Sequence, residues 1–237
     1  MSSDKIYAMI PARYGSQRLR LKNLALIDSR PLISYAISAA VDSGCFDKVV
    51  VNSDNDIFKS VASKYNAEHY KRPAELGSSE AKSDDVVYDF MQSHPDATVV
   101  AWVNPIAPLQ TASDVSRIVN HFIEHGYDSL ITGVEKQVHC MFSGGAINYE
   151  PRGKFALTQD LQPVFTFAYS SMVWRVSVFR QQYEESGCAM FCGTFKAFPV
   201  GHEHSVIVKT ESDLRLAESM IQAKKSRKAN NVQYWAW

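Results

Sequence analysis

Short apolar runs alternate with helix-length stretches through the first half of the chain, and this alternation limits the fold more than any other feature. Tyr7–Ile10, Lys48–Asn52 and Thr98–Val103 are aliphatic or β-branched and too short for helices. Between the first two, a stretch from Pro31 to Ala40 has helical apolar spacing, and another helix is expected around Ile57–Tyr65. Parallel strands need a crossover between them, so strand, helix, strand, helix predicts a mostly parallel sheet covered by helices. Ligands on such sheets sit beyond the carboxyl ends of the strands. That directs attention to the loop after Ile10, to Ser53-Asp54, and to Asn104–Leu109.

The boundaries follow from cap chemistry. Pro31 suits a first helical turn and Gly44 a helix stop. The polar stretch Gly77–Asp85 leads into a helix near Val86–Gln92, with Ser83-Asp84-Asp85 reading as its N-cap. Thr111-Ala112-Ser113-Asp114 opens a helix to about Glu124, and Tyr127–Val134 is a further strand. From Glu135 the pattern breaks into short pieces, followed by the aromatic, β-prone Phe165–Val173. Phe191–Val200 reads as another core strand, and Thr210-Glu211-Ser212-Asp213 starts a helix to about Lys225.

With 237 residues, 46% hydrophobic and 21% charged, the chain suits one globular domain over 1–237. Its formal net charge of zero offers no global field for nucleic acid. No apolar run approaches the roughly 20 residues of a membrane span, so no membrane is expected. The polar start MSSDK does not read as a signal peptide, and four scattered cysteines fit reduced thiols and a cytoplasmic location. The run Lys224–Lys228 reads as a solvated helix end, and the apolar Tyr234–Trp237 as a segment that packs on something.

The loop after the first strand carries Arg13, Gly15, Ser16, Arg18, Arg20, Lys22 and Asn23. Gly15 permits a tight turn and a close approach to a ligand, and loop N–H groups beside Arg and Lys suit a polyphosphate. From composition alone it reads equally as a solvated basic loop. It is neither a Walker A loop nor a dinucleotide fingerprint. The order Pro11-Ala12-Arg13, Gly15-Ser16, Arg18, Lys22-Asn23-Leu24 resembles the nucleotide-binding signature of the sugar-acid cytidylyltransferases, above all the acylneuraminate cytidylyltransferase family. The likeness runs through about the first half of the chain and then fades.

That resemblance implies a Rossmann-like nucleotide-diphospho-sugar transferase fold, with a small substrate and dimerisation element over about 135–190. It implies a nucleotidyltransferase that uses CTP and Mg²⁺ to activate a sugar acid, of the kind that feeds cell-surface polysaccharide synthesis, and a homodimer. Arg13 and Lys22 take the catalytic, triphosphate-facing roles. Ala12, Gly15, Ser16, Asn23, Arg72 and Ser83 bind nucleotide, with Asn23 meeting phosphate or base, Arg72 reading cytosine and Ser83 near the ribose. Arg18 and Arg20 are either lid cations or solvent-facing charges. Asn104, Gln159, Tyr169 and Ser170 face the acceptor.

Departures from the family matter as much. Its Asp-x-Asp-Thr metal pattern aligns with Ile207-Val208-Lys209-Thr210, so both aspartates are missing and the metal ligands are unknown. His202-Glu203-His204 offers two histidines that would share a face if extended, though a non-metal histidine pair is the better reading and histidine suits zinc over magnesium. In the sugar pocket Thr158 stands where the family has arginine, and Tyr169-Ser170-Ser171 replaces Asn-Gly. These changes predict an anionic acceptor other than N-acetylneuraminate. A relative that binds nucleotide without turnover, an enzyme for a non-sugar acid or phosphonate, and a non-enzymatic dimeric module are the alternatives.

Overall fold

The computed structural model describes residues 4–226 and Trp235. Seven strands form one sheet: β1 (Ile6–Ala12), β2 (Lys48–Ser53), β3 (Glu68–Lys71), β4 (Val99–Val103), β5 (Ser129–Lys136), β6 (Val164–Arg175) and β7 (Phe195–Pro199). Their spatial order is β7-β5-β6-β4-β1-β2-β3, and every pairing is parallel except the two made by β6. Helices α1 (Leu32–Ser43), α2 (Ile57–Lys64), α3 (Ser83–Ser93), α4 (Ala112–His125), α5 (Val176–Ser186) and α6 (Glu211–Ser226) complete the framework.

Strand alternation divides the core between the two faces. Ala8, Ile10 and Ala12 of β1 face one layer with Ile33, Phe58, Ile118 and Phe122 from α1, α2 and α4. Tyr7 and Met9 face the other, with Val87, Phe90 and Phe179 from α3 and α5. Each large buried side chain contributes about 1.5–3 kcal/mol of apolar burial. Stability therefore resides in these layers, and the loops at the strand ends are freer to carry polar chemistry. Helix α6 packs separately, placing Ala217 and Ile221 against Ile27, Leu32 and Val208.

Local chemistry explains most boundaries. Gly44 adopts φ 66° at the end of α1, a left-handed cap that glycine takes without a Cβ penalty. Thr111 caps α4 reciprocally with Asp114. Ser83 is not a cap: it is the first residue of α3, and the N–H of the preceding Lys82 donates to Asp85 instead.

Three readings of the sequence change. Glu68-His69-Tyr70-Lys71 forms β3, unforeseen because a polar edge strand has no apolar signature. The stretch 135–190 is not one separate element: β6 lies between β4 and β5, α5 packs on a face of the sheet, and the segment between Lys136 and Val164 belongs to neither. His202–Ser205 is a helical turn, not a strand, so His202 and His204 do not share a strand face. Lys224 and Lys225 end α6 and pair with Glu203 and Asp28, as expected of a helix terminus. Arg227, Lys228 and the apolar end fall outside the described residues, apart from Trp235, which is exposed.

Candidate active site

The parallel strands β1, β2 and β4 all deliver their carboxyl ends to one edge of the sheet, and a cleft of about 270 Å³ opens there. It is lined by Arg13, Ser16, Lys22 and Asn23 from the loop after β1, by Arg72 and Ser78 from the segment between β3 and α3, and by Ser83 at the start of α3. Trp102 and Asn104 close it from the end of β4. The fold thus brings together residues far apart in sequence.

Lys22 sits in a single helical turn entered through Leu21, whose φ is 49°. Burial pushes the Lys22 ammonium down from lysine's ordinary value, and Arg18, Arg13 and Lys209 push the same way. A cation held against other cations is poised for an anion. Next to it, Asn23 is buried and its amide donates to the Arg13 carbonyl at 3.3 Å, while its Oδ1 has no hydrogen-bond partner among the described residues. An acceptor oxygen gains nothing from phosphate, so Asn23 is better matched to a hydroxyl or amino group.

Arg72 is only 4% exposed, and its nearest carboxylate, Asp54, lies at 3.7 Å, beyond hydrogen-bond range. Burial draws its pKa down against the opposing pull of Asp54. Its Nε is without a partner among the described residues. Buried guanidinium groups are costly unless their donors are used. This one borders a cleft, where a ligand can supply acceptors.

Other expected residues lie elsewhere. Ala12 is fully buried and does not line the cleft. Gly15 is exposed, has no left-handed φ, and a Cβ there would meet nothing within 4 Å, so the chain does not use glycine's conformational freedom at this position. Asn104 donates to the Tyr169 carbonyl at 2.8 Å and accepts from the Ile106 N–H at 3.2 Å, binding β4 to a bulge in β6. Tyr169 sits in that bulge with φ 55°, half exposed. Ser170 is fully buried and its hydroxyl meets Thr132 at 3.0 Å, so it faces the core. Gln159 is exposed, outside the cleft, with its carbonyl accepting from Gln137 at 2.8 Å. Of the four acceptor candidates, Asn104 and Tyr169 alone border the site.

A second cavity of about 650 Å³ shares Asn104 and Ile106 with the cleft and adds Lys136, Phe167, Tyr169, Lys209 and Asp213. Sequence reasoning did not select Trp102, Lys136 or Asp213; an ordinary lysine or tryptophan carries no signal until its neighbours are known. Asp213 accepts from the N–H groups of Lys209 and Thr210 at 2.9 and 2.8 Å, which pulls its pKa down and commits it as a helix cap.

The carboxylates do not fit a protein-built magnesium site. Among the described residues no three His, Cys, Asp or Glu side chains cluster as ligands. Asp54, behind Arg72, and Asp213, in the neighbouring cavity, are each engaged by N–H donors. His204 is buried, with Nδ1 3.2 Å from the Leu109 carbonyl and Nε2 3.4 Å from Asp114, a structural bridge to α4.

Known proteins share this architecture. The sequence pattern of the family described as Cytidylyltransferase matches residues 7–143. The chain is 28% identical over 169 residues to an N-acylneuraminate cytidylyltransferase of Streptococcus agalactiae, covering 68% of this chain and 41% of that protein. It is 34% identical over 115 residues to the N-acylneuraminate cytidylyltransferase of Escherichia coli, covering 48% of this chain and 27% of the relative. The chain thus spans about two fifths or less of the length of these curated relatives. In structure it resembles a CMP:2-keto-3-deoxy-manno-octonic acid synthetase complexed with CTP, at TM-score 0.70 and 17% identity, over 93% of this chain and 100% of that one. It also resembles the 4-diphosphocytidyl-2C-methyl-D-erythritol synthase of Anaerococcus prevotii, at TM-score 0.68 and 13% identity, over 92% and 99% of the two chains. At these identities the structural likeness speaks for the fold, an α/β nucleotidyltransferase fold.

Proposed function

The chain belongs to the cytidylyltransferase family, and from that premise we propose that it activates an acidic acceptor with CTP, releasing pyrophosphate. The acceptor is a sugar acid of the sialic or ulosonic type, or a related acid. An acceptor hydroxyl oxygen attacks the α-phosphorus, the bond from that phosphorus to the bridging oxygen breaks, and the hydroxyl proton leaves to solvent. Arg13 and Lys22 neutralise charge growing on the leaving pyrophosphate, and Ser16 helps hold it. Ser83 is assigned to the ribose. Arg72 donates to O2 and N3 of cytosine; in uracil N3 carries a hydrogen and meets the guanidinium donor-to-donor. The observation that carries the reading is the meeting of the cationic β1 loop and buried Arg72 in one cleft.

Asn104, Tyr169 and the cavity beyond them are the acceptor side, and Lys136 and Lys209 favour an anion there. With Gln159 and Ser170 turned away, the partner set differs from that of a sialic acid pocket, which supports an acceptor other than N-acetylneuraminate. Calorimetric titration with CTP, then pyrophosphate release across N-acetylneuraminate, other ulosonic acids and phosphonates, tests the reading. CTP binding and release with at least one acid are expected, and no CTP binding overturns it. Binding without release favours a relative that has lost turnover, the alternative that Lys209 raises.

Mg²⁺ is proposed to enter with CTP, held by phosphate oxygens and water, because no carboxylate cluster stands among the described residues. Lys209→Asp is then expected to shift the Mg²⁺ midpoint of activity to lower concentration; an unchanged midpoint would place Lys209 outside the reaction. We also read the chain as a cytoplasmic homodimer. No described helix is long and apolar enough to cross a membrane, and Met141, Phe142, Phe155 and Leu157 expose apolar surface outside the sheet. Sedimentation equilibrium checks the dimer, and a monomer at all concentrations removes it.

A further inference from the structure

A carboxylate behind a cationic cleft needs a reason, because it opposes the binding of an anion there. Asp54, just beyond β2, is such a group: it does not line the cleft but stands behind Arg72, with its side chain only 16% exposed. Its Oδ1 accepts the Tyr14 N–H at 3.0 Å, in the middle of the β1 loop. The same oxygen lies 3.7 Å from the Arg72 guanidinium. The chain after Arg72 then folds directly over it: a Cβ on Gly77 would stand 2.5 Å from the Asp54 Cγ and 2.6 Å from its Oδ2. One residue later, the Ser78 carbonyl accepts from Arg13 at 3.3 Å. Two loops far apart in sequence are therefore joined twice, once through Arg13 and once through Asp54.

We propose that Asp54 is a positioning residue that fixes the phosphate loop and the base-reading arginine to one carboxylate, so that triphosphate and cytosine are bound in register. This rests on the nucleotide reading above. The charge of Asp54 holds Arg72 at the cleft without consuming its donors, since 3.7 Å is too long for a hydrogen bond. Its oxygen holds the loop through a backbone N–H, which makes the tie independent of the side chain at position 14. Gly77 is the third member: any side chain there displaces the carboxylate.

The two functions separate by substitution. Asp54→Asn keeps an acceptor for the Tyr14 N–H and removes the charge beside Arg72. Asp54→Ala removes both, and Gly77→Ala displaces the carboxylate without deleting it. Wild type and the three variants are compared by CTP-over-UTP preference in kcat/KM, by pyrophosphate affinity in calorimetry, and by hydrogen exchange of the amides in 13–16. Asp54→Asn is expected to lose at least about tenfold in CTP preference while pyrophosphate affinity changes less than about threefold. Exchange in that variant stays near wild type. Asp54→Ala and Gly77→Ala are expected to lose preference and pyrophosphate affinity together and to exchange faster at the loop. Wild-type preference in Asp54→Asn, or wild-type exchange in Asp54→Ala, overturns the proposal. So does loss of turnover in Asp54→Asn with preference intact, which would give the carboxylate a chemical role instead. If wild-type protein binds no CTP, the functional reading fails, and the exchange measurement still decides whether Asp54 ties the loop.

Discussion

Replacing Lys22 by methionine is expected to reduce CTP affinity about 10- to 100-fold, the equivalent of one charge-assisted contact. The melting temperature should hold or rise. Both signs follow from the same geometry. In the free protein the ammonium is half desolvated and surrounded by Arg13, Arg18 and Lys209, so its charge costs stability and its pKa lies below lysine's ordinary value. Methionine keeps the stem and removes that cost. A bound triphosphate restores the ammonium and raises its pKa again. Between the free and bound values the free form has lost its proton and the bound form retains it, so binding takes up protons in that pH window. Calorimetry in two buffers of different ionisation enthalpy reads that uptake, which should vanish in Lys22→Met. Equal proton uptake in both proteins would remove Lys22 from the phosphate site.

Replacing Arg72 by alanine is expected to reduce kcat/KM for CTP by about two to three orders of magnitude and nearly to equalise CTP and UTP. A site built to hydrogen-bond one ligand discriminates by the partners it leaves unpaired in the other. Pyrophosphate affinity should change far less, because Arg72 is assigned to the base. The variant also leaves a cavity at a side chain that is 4% exposed and strips Asp54 of its counter-charge, so stability falls by about 1–3 kcal/mol. Arg72→Met restores most of the volume and isolates the electrostatic part. Steady-state kinetics with both nucleotides decide it, and a CTP-to-UTP ratio equal to wild type would show that another group reads the base.

Most of the cleft lining was legible, because its residues sit in one short ordered stretch and at the ends of apolar runs. The surroundings of the expected acceptor residues were not. Ser170 looked like an available hydroxyl, yet the bulge that turns Tyr169 outward returns Ser170 to the core against Thr132. A one-residue change of register moves a strand side chain to the opposite face. Gln159 keeps a polar side chain in a loop, but the segment holding it stands away from the cleft. Lys136 and Trp102 carry no distinctive spacing, and Asp213 carries only a helix-cap signal; they line the cleft or its neighbouring cavity by proximity alone.

The sequence by itself determined the alternation of strand and helix, the caps at Gly44 and Thr111, the cationic β1 loop, and the presence of Ile207 and Lys209 before Thr210. These are local facts, fixed by propensity, periodicity and residue identity within a few positions. Tertiary structure alone decided that β6 runs antiparallel through the middle of the sheet, because pairing partners in a sheet are chosen by long-range packing on both faces. It decided too that β3, a polar edge strand with no apolar signal, pairs with β2 and so carries Arg72 to the cleft beside Asp54. Which charges face one another is a matter of distance in space, and a few ångströms separate a solvated carboxylate from one that, like Asp54, touches two loops far apart in the chain.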